Sequence, residues 1–288
     1  MKALIFGAGG QVGRALAMAA PAGVEVVALV RAACDVTNRD QVEQAVAAAK
    51  PGLVINAAAY TAVDRAELEP EAAALVNAAA PGWMAAAARV VGARCVHIST
   101  DFVFDGASGT PYAPGAPANP LSAYGRTKRD GEIAALAAHP GALVVRTAWV
   151  HSPHGNGFLQ TMLRLMREGE TVRAVADQVG TPTYAADLAE AIWSLAAAGA
   201  AGIHHVTDAG VATRYDMAVA IAEEGLAAGL FTSEPRIVPI PAAQFPAPAE
   251  RPAFSVLDKS VAWALLGAPA AHWRANLRRC IAQIAAGA

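Results

Sequence analysis

Cysteine, lysine and tyrosine are scarce in this chain of 288 residues, which holds three, four and five of them. Cys34, Cys95 and Cys280 are odd in number, far apart and without C-x-x-C or Cys/His spacing, which argues against structural zinc and for a reducing compartment. Buried, inert thiols are expected. Excess charge is also missing: the formal net charge is −2, leaving no basic field for nucleic acid or an anionic membrane. Hydrophobic residues reach 55%, much of it alanine, yet no strongly apolar run of membrane-spanning length is free of charge or proline. Strand-like sequence begins at Lys2 with no cationic leader before it, so no export signal is expected. These absences point to a cytoplasmic protein acting on a small molecule.

What is present is an alternation. Short apolar runs at 3–6, 24–30, 52–56, 94–99 and 142–147 have the length and near-continuous apolar character of strands covered on both faces. Helical segments at 11–20, 38–49, 70–91 and 122–138 lie between them. This rhythm predicts an α/β fold with a Rossmann-type doubly wound parallel sheet over residues 1–150. Beyond 150 the rhythm loosens, with helices expected near 157–168, 185–198, 214–228 and 259–286 and a proline-rich connection at 239–252. Residues 151–288 read as mainly a smaller α/β substrate lobe, with some chain returning to the first domain.

The first chemical signal is GAGGQVG at 7–13, between the first strand and the first helix. Gly7, Gly10 and Gly13 let the backbone approach a pyrophosphate, and the helix N-terminus behind them offers unpaired N–H groups. The spacing differs from G-x-G-x-x-G because Val12 sits where that pattern wants its last glycine; it favours the extended short-chain dehydrogenase/reductase pattern. At the end of the second strand, where a carboxylate would bind a ribose 2′-hydroxyl, Leu29-Val30-Arg31 stands instead, so the site should accept NADPH at least as readily as NADH. A solvated surface charge is the bland alternative for Arg31. Asp35 and Val36 could flank an adenine, although Asp-Val-Thr-Asn is also a helix start. After the third strand, the small side chains of Ala57, Ala58 and Ala59 would let a flat cofactor lie close to the backbone. Thr100, in the STD string that closes the fourth strand, is a candidate hydroxyl at the carboxyl edge of the sheet.

Tyr124 and Lys128 form the rarest pattern, a Y-x-x-x-K pair that chance seldom produces when both residue types are so few. On a helix the two share a face. Bringing a phenol from pKa about 10 to near neutrality takes roughly 4 kcal/mol of differential stabilisation, and an adjacent ammonium is a source of it. Thr100 would donate a hydrogen bond to the same carbonyl oxygen. An amphipathic helix with an exposed lysine is the structural alternative. Arg251, in ERP, could clamp a diphosphate or form a surface ion pair. His204 and His205, adjacent on a strand, point to opposite faces and are read as structural.

Taken with NAAAYTAVDRAE, STDFVFDG, YGRTKRDGE, RTAWV, DQVGTPT and ERPAFSVLD, the chain resembles the dTDP-4-dehydrorhamnose reductase family of the extended short-chain dehydrogenases/reductases over nearly its whole length. The resemblance implies reduction of the 4-keto group of dTDP-6-deoxy-L-lyxo-4-hexulose with hydride from NADPH or NADH. It also implies Tyr124 as proton donor, Lys128 as a ligand of the nicotinamide ribose, and Thr100 as the third catalytic member. Gly10, Gln11, Val12, Asp35, Val36, Ala59, Tyr60 and Thr61 would contact the cofactor. Val63, Asp101 and Trp149 would touch the substrate, with Trp149 stacking against it. There are departures. His151 stands where the family often has tyrosine, and Gly157 replaces an asparagine of a common GNNF string, both near the expected sugar pocket. Ala15 stands where some relatives use a glutamate to hold Mg²⁺ between subunits, so no metal site and a monomer or weak homodimer are expected. Three alternatives remain: reduction of another 4-keto-6-deoxy sugar nucleotide; a nucleotide-sugar epimerase or dehydratase, against which Phe102 follows Thr-Asp where dehydratases usually carry glutamate; and a non-catalytic NADP-binding regulatory subunit.

Overall fold

The structure, a computed structural model, describes residues 1–287. Six parallel strands form one sheet: β1 (Lys2–Phe6), β2 (Glu25–Leu29), β3 (Leu53–Asn56), β4 (Arg94–Thr100), β5 (Leu143–Thr147) and β6 (Gly202–His205). Their spatial order is β6-β5-β4-β3-β1-β2. The main helices are α1 (Gln11–Met18), α2 (Arg39–Ala49), α3 (Ala80–Val90), α4 (Ala123–Ala138), α5 (Phe158–Arg167), α6 (Ala185–Ala197), α7 (Arg214–Ala227) and α8 (Trp273–Ala286).

The doubly wound sheet expected from the sequence follows from strand side chains that are apolar on both faces. On β1, Ala3 and Ile5 pack with Leu16 of α1 and with Leu188, Ile192 and Trp193 of α6. Leu4 and Phe6 point the other way, into Val42 and Val46 of α2, Met84 and Ala88 of α3 and Ala135 of α4. Fully burying one such large side chain stabilises the fold by about 1.5–3 kcal/mol. The chain leaves β1 toward β2 and then crosses back to β3. The carboxyl ends of β1 and β3 therefore flank a topological switch point, where open α/β sheets collect ligands.

A second apolar core joins Leu159 and Met162 of α5, Met217 and Ile221 of α7, and Leu277 and Ile281 of α8. Short strand pairs brace it: Val172–Val175 with Ile237–Ile240, Val179–Gly180 with Ala212–Thr213, and Val150–His151 with Thr183–Tyr184. Between these segments α6 and β6 return to the first layer, β6 pairing with β5.

Two helical expectations change. The segment 259–286 is two helices, Ser260–Leu266 and α8, because Gly267 caps the first in the left-handed region at φ 78°. The run 70–91 is helical but holds a π-helical stretch at Leu75–Ala79, preceded by a short helix, Val63–Leu68, that the sequence did not suggest. All three cysteines are buried and unpaired, and burial pushes the Cys95 and Cys280 thiols up to about 12.

Candidate active site

Gly7 leaves β1 at φ 79°, and a Cβ there would overlap the backbone of Ala58 on the neighbouring β3 connection. The turn can therefore lie flat against the Ala57–Ala59 segment. Gly10 precedes α1 with no side chain capping the helix, so its leading amides are open to an anion. These elements line a hollow of about 300 Å³ that also includes Arg31, Asp35, Val36 and Tyr60. Arg31 is exposed on its rim. Asp35 Oδ1 accepts from the amide and the hydroxyl of Thr37 at 3.0 and 2.8 Å, bonds that hold its carboxyl below the usual range. Tyr60 is fixed by its amide, which donates to Asn77 Oδ1 at 2.8 Å, and by its hydroxyl, which donates to Glu69 at 2.7 Å. Small side chains and open amides make this hollow fit a dinucleotide.

A second hollow of about 710 Å³ abuts the first through Gly10, Ala57 and Ala59. Gln11, Val12, Thr61 and Val63 line one wall; Thr100, Asp101, Tyr124 and Lys128 line another; Trp149 and Arg251 complete it. The residues singled out in the sequence therefore converge on two joined cavities. Thr100 ends β4 and Asp101 opens the 3-10 turn that follows it, while Tyr124 and Lys128 lie one turn apart on α4. The helix can reach β4 because Gly125 has no side chain: a Cβ there would overlap the carbonyl oxygen of Phe102.

The electrostatics depart from the sequence-based expectation. Burial pushes the Tyr124 phenol up to about 12, opposed by a hydrogen bond with the Thr100 hydroxyl and reinforced by Asp101. Lys128 does not acidify it: Nζ donates to the Ile98 carbonyl at 2.6 Å, and burial brings its pKa down to about 8 against the pull of Glu132. Desolvation of an anion outweighs the neighbouring hydroxyl here. Asp101 is also buried, its Oδ1 accepting from Thr100 at 3.0 Å, and desolvation raises its carboxyl to about 6.

Trp149 lines the cavity, but its ring is already covered by the Arg214 guanidinium, whose Cζ lies 3.6 Å from the ring centroid. Its backbone is held at φ 45°, a left-handed conformation uncommon for a non-glycine residue. Arg251 donates to Asp64 Oδ2 at 2.7 Å and to the Ala249 carbonyl at 3.0 Å. His151 is not at the cavity wall; it is buried against Tyr184 with ring centroids 5.8 Å apart, and burial lowers its pKa to about 4. Gly155 and Asn156 line the wall in place of Gly157. His204 and His205 are both buried in β6.

Sequence reasoning missed three supports. Glu132, fully buried one turn beyond Lys128, accepts from Ser99 Oγ at 2.6 Å and from Arg146 at 2.7 Å on each carboxylate oxygen. It thereby ties α4 to β4 and β5. Its spacing from Tyr124 and Lys128 was legible on the helix face; its partners were not. Asn77, in the π-helical stretch, donates to the Tyr60 carbonyl and to Thr127 Oγ1, pinning the Ala57–Thr61 strip to α4. Arg214, at the start of α7, lines the same cavity.

The family model described as RmlD substrate binding domain matches residues 1–286. A probable dTDP-4,6-dihydroxy-2-methyloxan-3-one 4-ketoreductase of Streptomyces antibioticus is 44% identical, covering 99% of this chain and 96% of the relative. A dTDP-4-dehydrorhamnose reductase of Burkholderia thailandensis is 42% identical over 98% of each chain. The crystal structure of a dTDP-4-dehydrorhamnose reductase from Bacillus anthracis in complex with NADP aligns with a TM-score of 0.92 at 33% identity, covering 98% of this chain and 99% of that one.

Proposed function

This chain belongs to the RmlD substrate binding domain family, and from that premise we propose that it reduces the 4-keto group of dTDP-4-dehydro-L-rhamnose to dTDP-L-rhamnose with NADPH or NADH. The observation that carries this reading is the convergence of Thr100, Tyr124 and Lys128 on one cavity that opens, through Gly10 and Ala59, onto the glycine-turn hollow.

The coenzyme, when bound, supplies hydride to the carbonyl carbon. The open amides at the start of α1 would take its pyrophosphate, Gln11, Val12 and Ala57–Thr61 its flat surfaces, Asp35 and Val36 the adenine edge, and Arg31 a 2′-phosphate. Tyr124 gives its proton to the keto oxygen as the C–H bond forms, so ketone becomes alcohol and the phenolate is reprotonated from solvent. Thr100, its one hydroxyl proton turned from Asp101 Oδ1, would donate a second hydrogen bond to that oxygen and orient it. Lys128, with the N–H groups left free by its bond to the Ile98 carbonyl, would hold the nicotinamide ribose and bring a positive charge toward the nascent phenolate. Val63, Asp101, Trp149 and Arg251 bound the substrate.

Purified protein should consume NADPH with dTDP-4-dehydro-L-rhamnose, and Tyr124→Phe should lower kcat by roughly 10²–10⁴-fold while coenzyme binding survives. Equal turnover by the Phe variant removes the phenol from the chemistry. Arg31→Ala should raise KM for NADPH more than for NADH; an unchanged ratio returns Arg31 to the solvated surface. The Streptomyces relative favours one second reading, reduction of a different dTDP-linked 4-keto sugar, which a panel of such substrates separates from the first. We place the enzyme in the cytoplasm as a monomer or weak homodimer. Three buried, unpaired cysteines support the compartment, and sedimentation across concentration tests the assembly. Among the described residues no helix is long and apolar enough to cross a membrane, and no cluster of three or more His, Cys, Asp or Glu is arranged to hold a metal.

A further inference from the structure

Arg214 is the least explained charge in the molecule. It opens α7 behind a capping box in which the Thr213 hydroxyl accepts from the Asp216 amide and Asp216 accepts from the Thr213 amide, so the first turn is fixed. Its guanidinium lies 3.6 Å over the Trp149 ring and 5.1 Å from that of Phe158. Trp149 is braced in turn by Gly180, where a Cβ would come within 2.6 Å of the indole Cε2. The guanidinium is thus held as a rigid plate. Yet among the described residues none of its N–H groups meets an acceptor, whereas the neighbouring Arg251 is bonded to Asp64 and Ala249. Asp101 attracts Arg214 and Arg251 repels it, and all three line the reaction cavity. The side chain is half-buried, and a fork of donors with no protein acceptor, open to the hollows it lines, is free to take one from a ligand.

Position says which ligand. Arg214 and Arg251 both line the reaction cavity and also a separate outer hollow of about 830 Å³, walled by Phe158, Arg173, Gln178 and the chain from Ala242 to Arg251. Whatever spans the two hollows passes beside these two residues. A sugar whose keto carbon faces Tyr124 would place its anomeric substituent in that passage and a nucleoside beyond it. Resting on the substrate reading above, we propose that Arg214 is the diphosphate-binding residue of the substrate site. Its planar fork accepts two phosphate oxygens while Trp149 supports its back, and Arg251, already neutralised by Asp64, plays the smaller part. Trp149 then serves the substrate as the platform beneath the guanidinium and not as a stacking surface for the sugar.

The test measures dTDP and thymidine affinity by calorimetry, together with steady-state kinetics and NADPH affinity, in wild type, Arg214→Met and Arg214→Lys. The Met variant should bind dTDP and saturate with the dTDP-sugar at least about tenfold more weakly. Its NADPH affinity and thymidine affinity should stay near wild type. The Lys variant should recover part of the loss as a point charge. Unchanged dTDP affinity and KM in the Met variant overturn the proposal, as does an equal loss for thymidine, which would make the residue a packing element. Should the Met variant lose NADPH binding, Arg214→Gln is read by the same criteria. If wild type binds dTDP through Arg214 but reduces no dTDP-linked 4-keto sugar, the substrate reading fails and this assignment stands. If it reduces such sugars and the Met variant is unaltered, this assignment fails alone.

Discussion

At the residue scale, Tyr124 and Lys128 have been moved in opposite directions by the same cause. Burial pushes the phenol up to about 12 and brings the ammonium down to about 8. A reductase needs its acid protonated, and a phenol at that value keeps its proton across the working range. On the alkaline side of neutrality the nearby group that titrates is Lys128, positively charged below about pH 8 and neutral above. We therefore expect kcat/KM for reduction to fall above pH 8, because that quantity reports the free enzyme. Lys128→Met should be slow at every pH and lack the limb. A limb that persists in this variant assigns the titration elsewhere. The i, i+4 pairing was legible in the sequence because helix geometry alone sets it. The sign of the phenol's shift was not, because spacing carries no information about desolvation, nor did it reveal that the Ile98 carbonyl takes the ammonium.

Helix α4 carries Tyr124, Lys128 and Glu132 on one face, and Gly125 sets how close that face comes to β4. Alanine normally exceeds glycine inside a helix by about 1 kcal/mol. Gly125→Ala should reverse the sign, destabilising by roughly 1–3 kcal/mol through the clash with Phe102 and displacing Tyr124 from Thr100. Chemical denaturation and kcat measured together would show it; a stabilised, fully active variant refutes the close-contact account. Glu132→Gln leaves the fully buried Arg146 guanidinium without its bidentate partner and should cost about 3–5 kcal/mol. Strands and most helices could be read from apolar periodicity, since both faces of the sheet are covered. Val63–Leu68 could not, being short and set in alanine-rich sequence, and the break before α8 depended on Gly267, which a helical pattern tolerates on paper. Arg214 belongs to no motif in the sequence, and only the placing of its guanidinium over Trp149 gives it meaning.

Over the whole molecule, two sets of buried groups pull stability in opposite directions. Desolvation raises Asp208 from 3.8 to about 7 and Asp101 to about 6, so their contribution is full below pH 3.8 and is lost as pH rises through those values. Burial lowers His151 and His205 from 6.5 to about 4, so theirs is present above 6.5 and lost as pH falls through 4. Asp208→Asn should lessen the fall in melting temperature between pH 5 and pH 8 relative to wild type, followed by thermal unfolding at both values. An identical fall in the two proteins removes Asp208 from the balance. The return of β6 and α6 to the first layer has a consequence for synthesis. A chain emerging from the ribosome displays the open edge of β5, and the face that Leu188, Ile192 and Trp193 will cover, until about residue 205 has cleared the exit tunnel. For that interval the growing polypeptide presents a sticky, unsealed template, which makes the span between β5 and β6 the stretch where chaperone engagement or aggregation during translation would begin.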